Sequence, residues 1–149
     1  FPGAKRRFQI IARVKGITIV DDYAHHPTEI KATIRGARQF HQDRLVVIFQ
    51  PHRYTRTKLL YEQFGESFRE ADLVVITDIY SAGETPIENV TGELVYQAAL
   101  ASGCNAKYIP TLEEAEAYLK SILKSNDLLI TMGAGDVWKM GVHLAGELE

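Results

Sequence analysis

Apolar residues follow two different spacings along the chain, and their order predicts strands that alternate with helices. Six short runs rich in β-branched and aliphatic residues are typical of strands, at 8–14, 17–22, 45–49, 73–77, 106–109 and 127–131. Apolar residues three or four positions apart are typical of helices, at 30–40, 60–68, 94–99, 112–122 and 137–148. The pattern therefore predicts an α/β fold.

Signals at the ends of these segments refine the prediction. Lys15-Gly16 lies between the first two strands and fits the two-residue turn of a β-hairpin. Pro27 suits the first position of a helix, with His26 as its cap. Because strands joined through helices pair in parallel, we predict one Rossmann-like domain over 1–149. It has a mostly parallel sheet with helices on both faces, preceded by an N-terminal β-hairpin.

Composition and charge narrow the choice of partners. The 149 residues are 46% hydrophobic and 24% charged, which is ordinary for a globular domain. With a formal net charge of −2, the chain offers no case for nucleic acid or a membrane surface as a partner. Cys104 stands alone, so it forms no internal disulfide and suits a reducing compartment, which we take to be the cytoplasm.

The beginning of the sequence has neither an initiator methionine nor the apolar core of a signal peptide. No apolar stretch approaches the roughly 20 residues that span a bilayer. We therefore expect the chain to be part of a longer protein.

Two polar loops follow predicted buried strands. The first, Asp-Asp-Tyr-Ala-His-His-Pro-Thr-Glu at 21–29, places carboxylates, a phenol, two imidazoles and a hydroxyl close together. The second, Pro-His-Arg-Tyr-Thr-Arg-Thr at 51–57, follows the strand at 45–49. In open α/β sheets, ligands bind in the crevice beyond the carboxyl ends of the strands. The two loops therefore predict a binding site.

Arg53 and Arg56 give the strongest electrostatic signal. They lie three residues apart at or just before a helix N-terminus, so they share a face and the helix dipole repels both. An anion held between them resolves this repulsion, because helix N-termini bind anions and arginine grips a carboxylate or phosphate through two bonds. The alternative is that both arginines pair with local carboxylates such as Glu62 or Asp78, or extend into solvent.

The histidines of the two loops permit a metal hypothesis, which we do not favour. His25 and His26 are adjacent and point in different directions, and with His52 they do not form a Cys/His spacing typical of zinc sites. We expect one of the first pair to cap the helix and the other to face a ligand as a neutral donor or acceptor. The predicted site contains no metal.

Two further features belong to the same edge of the predicted sheet. Neighbours on a strand point to opposite faces, so only one of Asp21 and Asp22 faces the crevice. We favour Asp22, as an acceptor for a hydroxyl or a cation, and the alternative is a carboxylate that caps a turn. Gly133 and Gly135 predict a tight loop that brings backbone N–H groups to the crevice. As a dinucleotide motif they are weak, and the sequence has no GxxxxGK[ST] phosphate loop.

Together these motifs resemble the C-terminal domain of the Mur ligase family. The resemblance covers essentially the whole chain, and it rests on 21–29, on Phe-Gln-Pro-His-Arg-Tyr-Thr-Arg-Thr at 49–57, and on three shorter motifs at 3–8, 80–84 and 132–136. The run at 49–57 is similar to that of the members that add L-alanine. The nearest alternative, the murein-tripeptide recycling ligases, share a similar His-His-Pro-Thr segment but depart from this run.

The resemblance implies an ATP- and Mg-dependent ligase of peptidoglycan precursor synthesis. ATP phosphorylates the lactyl carboxylate of UDP-N-acetylmuramate, and the amine of L-alanine attacks the acyl phosphate. Such enzymes have an N-terminal UDP-sugar domain and a central ATPase domain, which this chain lacks and which would be its partners. The third domain closes over ATP and brings the amino acid.

The resemblance also implies roles for individual residues. Arg53 and Arg56 hold the L-alanine carboxylate in a pocket that Tyr23 and His25 shape. Arg7 and Asp22 belong to the nucleotide site, where Asp22 contacts the ribose or orders the loop. The remaining pocket-shaping positions are His26, His52, Gly133 and Gly135. None of these residues is expected to be catalytic within this domain alone.

Two other functions stay open from the residues. One is a stand-alone Rossmann-like module that binds a small anionic ligand, and the other is a metal-dependent hydrolase built on His25, His26 and His52. A Gly-rich phosphate loop encoded upstream would support the ligase, and one equivalent of co-purified metal would support the hydrolase. Since the chemistry belongs mainly to the central domain, we expect the chain alone to neither hydrolyse ATP nor ligate L-alanine.

Overall fold

A computed structural model describes residues 7–149, and strands and helices alternate through most of this range. The strands are β1 Gln9–Val14, β2 Ile17–Asp22, β3 Leu45–Phe49, β4 Leu73–Ile76, β5 Ala106–Tyr108 and β6 Leu128–Met132. The helices are α1 Pro27–Phe40, α2 Tyr54–Ser67, α3 Glu93–Ala101, α4 Leu112–Ile122 and α5 Val137–Leu148. Every predicted element is present, and strand ends differ from the prediction by no more than one residue.

The strands form one sheet in the order β1-β2-β6-β3-β4-β5. β1 pairs with β2 in antiparallel orientation, and the other pairs are parallel. Lys15 and Gly16 join β1 to β2 with φ values of 53° and 80°. A type I′ hairpin turn requires positive φ at both central residues, and the glycine adopts it without steric cost. The structure thus confirms the parallel sheet and its N-terminal hairpin.

Helices cover both faces of the sheet. Val47 and Phe49 of β3 point to one core, which contains apolar residues of α1, α2 and α3. Val46 and Ile48 point to a second core, which contains residues of α4 and α5. All five residues of β3 are buried, as expected for a central parallel strand. Among the helices formed by residues 7–149, none has the length and apolar character that crossing a membrane requires.

The parallel strands at the centre of the sheet end at the same level. Asp22 pairs with Met132, Met132 with Phe49, and Phe49 with Ile76. Each of these residues is the last of its strand. The four loops that follow them therefore leave the sheet side by side, and this arrangement brings distant polar residues together.

Close packing of α2 on α3 depends on one glycine. A Cβ atom at Gly65 would lie 2.5 Å from the carbonyl carbon of Ala98 and 2.7 Å from its oxygen, which are backbone atoms. Gly36, in the middle of α1, has no atom within 4 Å of such a Cβ. Gly36 and Gly65 both lie inside helices and differ in the space around them.

We predict opposite effects for alanine at these positions. Gly65→Ala forces the helices apart and should lower the free energy of unfolding by about 1–3 kcal/mol. Gly36→Ala should raise it by about 0.5–1 kcal/mol, because alanine has the higher helix propensity and meets no neighbour. Denaturant unfolding of the two variants measures both changes. Equal effects of the two substitutions would contradict the packing of α2 on α3.

Candidate functional site

Four aromatic rings form a row along the carboxyl edge of the sheet. The ring centroids of Tyr23 and His25 are 5.0 Å apart, and those of His25 and His52 are 5.9 Å apart. His52 in turn stacks on Tyr80 at 5.6 Å and an interplanar angle of 10°. His26 lies beside the row, with its ring centroid 4.7 Å from that of His25. The row therefore joins the loops that follow β2, β3 and β4.

His25 is held as a neutral ring with a defined tautomer. Its Nδ1 lies 2.9 Å from the carbonyl oxygen of Tyr23. A carbonyl only accepts, so Nδ1 carries the hydrogen and Nε2 keeps a free lone pair. Burial lowers the pKa of His25, and the charge of Arg56 lowers it further, against the opposing effects of the Tyr23 carbonyl and Glu29. The ring is thus an acceptor at Nε2.

His52 has the opposite tautomer. Arg56 donates a hydrogen bond of 3.2 Å from Nη1 to Nδ1 of His52. Because a guanidinium only donates, Nδ1 must be the acceptor and Nε2 carries the hydrogen. Burial and then the nearby charge of Arg56 lower the pKa of His52 to about 4, and Arg53 adds to the shift. The two neighbouring histidines therefore present one acceptor and one donor at neutral pH.

Arg53 and Arg56 lie at the beginning of α2, as the sequence predicted. Arg53 is exposed and Arg56 is half-buried. Burial and then the charge of Arg53 lower the pKa of Arg56, so the two guanidinium groups repel each other. Among residues 7–149, neither guanidinium has a carboxylate within ion-pair distance.

The proposed local partners of these arginines are engaged elsewhere or lie in solvent. Asp78 accepts hydrogen bonds from the backbone N–H groups of Ile79 and Gly92. Glu62 is exposed and forms no ion pair within the described part of the chain. The pair of arginines therefore presents positive charge to the crevice.

A carboxylate that the sequence analysis did not assign occupies the N-terminus of α2. Glu84 accepts hydrogen bonds from the N–H groups of Tyr54 and Thr55 and from the hydroxyl of Thr55. These bonds and the charge of Arg53 lower the pKa of Glu84, although burial opposes the shift. Glu84 belongs to the motif at 80–84, and the signal for its role was that the first turn of α2 has no acidic residue of its own.

The N-terminus of α1 is closed in a similar way. Glu29 accepts hydrogen bonds of 3.2 Å from the N–H groups of His25 and His26, which makes His26 the N-cap as predicted. Arg7, predicted to reach a nucleotide, forms an ion pair of 3.1 Å with Glu29. Burial would raise the pKa of Glu29, but the hydrogen bonds and positive charges lower it. This carboxylate therefore stays ionised.

Asp21 and Asp22 are both buried, with 3% and 2% of their surface exposed. Asp22 accepts hydrogen bonds of 2.9 Å from Phe8 N–H and 2.8 Å from Ala24 N–H. Asp21 accepts a bond of 2.6 Å from the Thr131 hydroxyl. Burial raises the pKa of Asp22. Of its two predicted roles, these bonds support ordering of the loop.

The glycines after β6 allow the backbone to approach the loop after β3. A Cβ at Gly133 would lie 2.8 Å from the carbonyl oxygen of Gln50, and Gly133 has a φ of 147°. A Cβ at Gly135 would lie 2.6 Å from both the Gln50 side chain and the Tyr80 ring. Gln50, which the sequence analysis did not single out, donates to Asp136 at 2.8 Å and accepts from Val137 N–H. It ties the two loops together.

In the described part of the chain, His25, His26 and His52 do not have the geometry of a metal site. Over residues 7–149, the one group of three potential ligands with all ligand atoms within 4.8 Å of one another is Glu116, His143 and Glu147. This group lies on α4 and α5, on the other face of the sheet from α1 and α2. Its His143 and Glu116 form an exposed ion pair.

A family model and a search of curated proteins both relate this chain to ligases. The family model "Mur ligase, glutamate ligase domain" matches residues 6–135. A UDP-N-acetylmuramate–L-alanine ligase from Syntrophomonas wolfei is 57% identical over 144 residues, which are 97% of this chain and 31% of that protein. The chain therefore spans about a third of the length of the curated relatives it matches.

Solved structures of two kinds of ligase have the same fold. UDP-N-acetylmuramate-alanine ligase from Thermotoga maritima matches with a TM-score of 0.79 and 28% identity, over 95% of this chain and 29% of that one. A murein peptide ligase from Psychrobacter arcticus matches with a TM-score of 0.80 and 25% identity, over 97% of this chain and 30% of that one. The fold alone does not distinguish these two kinds.

We predict that His52 makes stability fall in acid. An unfolded histidine titrates near 6.5 and the folded one at about 4, so between these values the unfolded chain binds more protons. The contribution of His52 is complete above pH 6.5 and is lost as the pH falls toward 4. His52→Gln should therefore flatten the acid side of the stability profile, by less than the about 1.4 kcal/mol per pH unit of a full proton because the ring is partly exposed.

His143→Gln is the matched control, because its hydrogen bond to Glu116 raises the pKa of His143. The contribution of His143 is present below pH 6.5 and is lost as the pH rises through the folded pKa, so this variant should change the profile in the opposite sense. Denaturant unfolding between pH 4.5 and 8 measures both. Parallel profiles for the wild type and His52→Gln would contradict the neutral assignment of His52.

Proposed function

The chain belongs to the Mur ligase family, and we propose that it is the C-terminal, amino-acid-binding domain of an ATP-dependent ligase that adds L-alanine to UDP-N-acetylmuramate. The full-length protein would act in peptidoglycan precursor synthesis in the cytoplasm. The observation that supports this proposal most strongly is the pair Arg53 and Arg56. Their positive charge faces the crevice, and they lack a carboxylate partner among residues 7–149.

The site has the donors and acceptors that a small zwitterion requires. The two guanidinium groups suit the carboxylate of an amino acid, because planar N–H pairs match the two carboxylate oxygens. His25 is an acceptor at Nε2, which suits an ammonium group or an amine hydrogen, and Tyr23 lies against it. The guanidinium groups and the acceptor nitrogen of His25 thus lie on the same carboxyl edge of the sheet. The ring contact of His25 with His52 fixes the separation between the two loops that carry them.

The contribution of this domain to the reaction is positioning. Holding the carboxylate of L-alanine fixes its amine next to the acyl phosphate, which converts an encounter in solution into a reaction between neighbours. The amine forms the amide bond to the carbonyl carbon, phosphate leaves, and the amine loses a proton. Closure of the domain over the other two would exclude water that hydrolyses the acyl phosphate.

The nucleotide and its Mg²⁺ would be held mainly outside this chain. The sequence has no GxxxxGK[ST] loop, and both oxygens of Asp22 accept backbone hydrogen bonds. Arg7 fits a nucleotide contact better, since half of its side chain is exposed and it pairs with a single carboxylate. ATP supplies the phosphoryl group, and we place its site in the central domain, with Arg7 reaching it on closure.

Two alternatives are less well supported. A stand-alone binding module would not explain why the chain matches about a third of each ligase over nearly its whole length. The murein-tripeptide recycling ligase has an equally similar fold, and among the solved structures its identity of 25% is close to the 28% of the alanine ligase. Curated relatives at 57% and 55% identity are UDP-N-acetylmuramate–L-alanine ligases, which favours L-alanine as the amino acid.

We predict that Arg53→Ala and Arg56→Ala in the full-length enzyme raise the KM for L-alanine by about 10- to 150-fold, the effect of losing one hydrogen-bonded charge. The KM values for ATP and UDP-N-acetylmuramate should change little. Arg69→Ala, which replaces an exposed arginine just beyond the other end of α2, is the control and should leave all three constants unchanged. Normal L-alanine kinetics in both variants would refute the proposal that Arg53 and Arg56 hold the carboxylate of L-alanine.

A further inference from the structure

The first turn of α2 combines features that oppose each other. The helix N-terminus carries partial positive charge, and Arg53 and Arg56 add two full charges within one turn. The turn contains no acidic residue of its own. The compensating carboxylate comes from Glu84, 30 residues further along the chain.

Two backbone hydrogen bonds fix the segment that carries Glu84 against the loop that carries Arg53. Tyr80 N–H donates to the carbonyl of Pro51 at 2.8 Å, and Arg53 N–H donates to the carbonyl of Tyr80 at 2.9 Å. Beyond this bridge, Ala82 and Gly83 have φ values of 52° and 87°, which turns the chain back so that Glu84 meets the helix. The contact is therefore made by a shaped turn and not by an extended surface side chain.

The same contacts hold Arg53 in an unusual backbone conformation. Its φ is 75°, in the left-handed region that a residue with a side chain rarely adopts. Its N–H bonds to Tyr80, its carbonyl accepts from the N–H and hydroxyl of Thr57, and Glu84 binds the two residues that follow it. Arg53 is thus fixed on both sides, and Glu84 supplies the side-chain half of that restraint.

We propose that Glu84 is a positioning and specificity-determining residue of the amino-acid site. This inference rests on the proposed function of Arg53 and Arg56. Glu84 occupies the N–H groups of Tyr54 and Thr55, which would otherwise be open to an anion, so a ligand carboxylate is directed to the guanidinium groups. It also leaves the two arginines and itself with one net positive charge, beside the neutral rings of His25 and His52 and with Glu29 paired to Arg7.

A site with one net positive charge, in which Glu84 already binds the first two helix N–H groups, suits a singly charged carboxylate better than phosphate. This distinction matters for the proposed reaction, since inorganic phosphate is one of its products. Phosphate carries more negative charge and more acceptor oxygens, and helix N-termini are its usual binding sites. Glu84 would therefore keep the amino-acid site selective against phosphate.

The test uses the full-length enzyme with Glu84→Gln, which keeps an acceptor for the helix N–H groups but removes the charge. Inhibition by inorganic phosphate is measured against varied L-alanine. The ratio of the competitive phosphate Ki to the L-alanine KM should fall about fivefold or more, as expected for one nearby unit charge in water. Thr55→Val removes one bond to Glu84 but keeps the charge, so its ratio should stay near that of the wild type.

Glu88→Gln is the matched control, an exposed acid on the same loop, and should leave the ratio unchanged. A Glu84→Gln enzyme with the same ratio as Glu88→Gln would overturn the inference. This result can be distinguished from a failure of the proposed carboxylate binding by Arg53 and Arg56. If Arg56→Ala raises the L-alanine KM while Glu84→Gln has no effect on the ratio, only the role of Glu84 fails.

Discussion

The site depends on how two like charges are accommodated at the positive end of a helix. Arg53 and Arg56 repel each other and the dipole of α2, and this arrangement is stable only with compensation nearby. Glu84 provides negative charge at the helix end, while His52 stays neutral and accepts a hydrogen bond from Arg56. The charge of the arginines is thus tolerated without being cancelled. In the proposed function, an anionic ligand completes the arrangement.

The sheet supplies the rigid frame for these groups. Its central parallel strands end in register, so the loops after β2, β3, β4 and β6 start at one level. Gln50 links two of these loops through its side chain, and the glycines at 133 and 135 allow the approach. The row of rings from Tyr23 to Tyr80 then spans three loops. Residues far apart in sequence therefore keep fixed separations.

Local patterns in the sequence were sufficient for most of the fold. The strand at 17–22 and the helix beginning at Pro27 have the predicted bounds, because apolar spacing and a proline at the first helical position act within a few residues. Glu84 could not be assigned in this way, since its contact with Tyr54 depends on a tertiary bridge. The histidine tautomers were equally hidden, because each is set by a partner's position. The sequence left two roles open for Asp22, contact with a ligand or ordering of the loop. Its hydrogen bonds to Phe8 and Ala24, which are visible only in the structure, favour ordering of the loop.

A change in the substrate tests whether the arginines recognise the carboxylate of the amino acid. L-Alaninamide has the amine and methyl group of L-alanine but no negative charge. The measurement compares kcat/KM for L-alanine and L-alaninamide in the full-length enzyme and in its Arg56→Ala variant. If the arginines bind the carboxylate, the wild type prefers L-alanine and the variant loses this preference by about tenfold or more, the effect of losing one charged hydrogen bond. The same preference in both enzymes would rule out carboxylate recognition by Arg56.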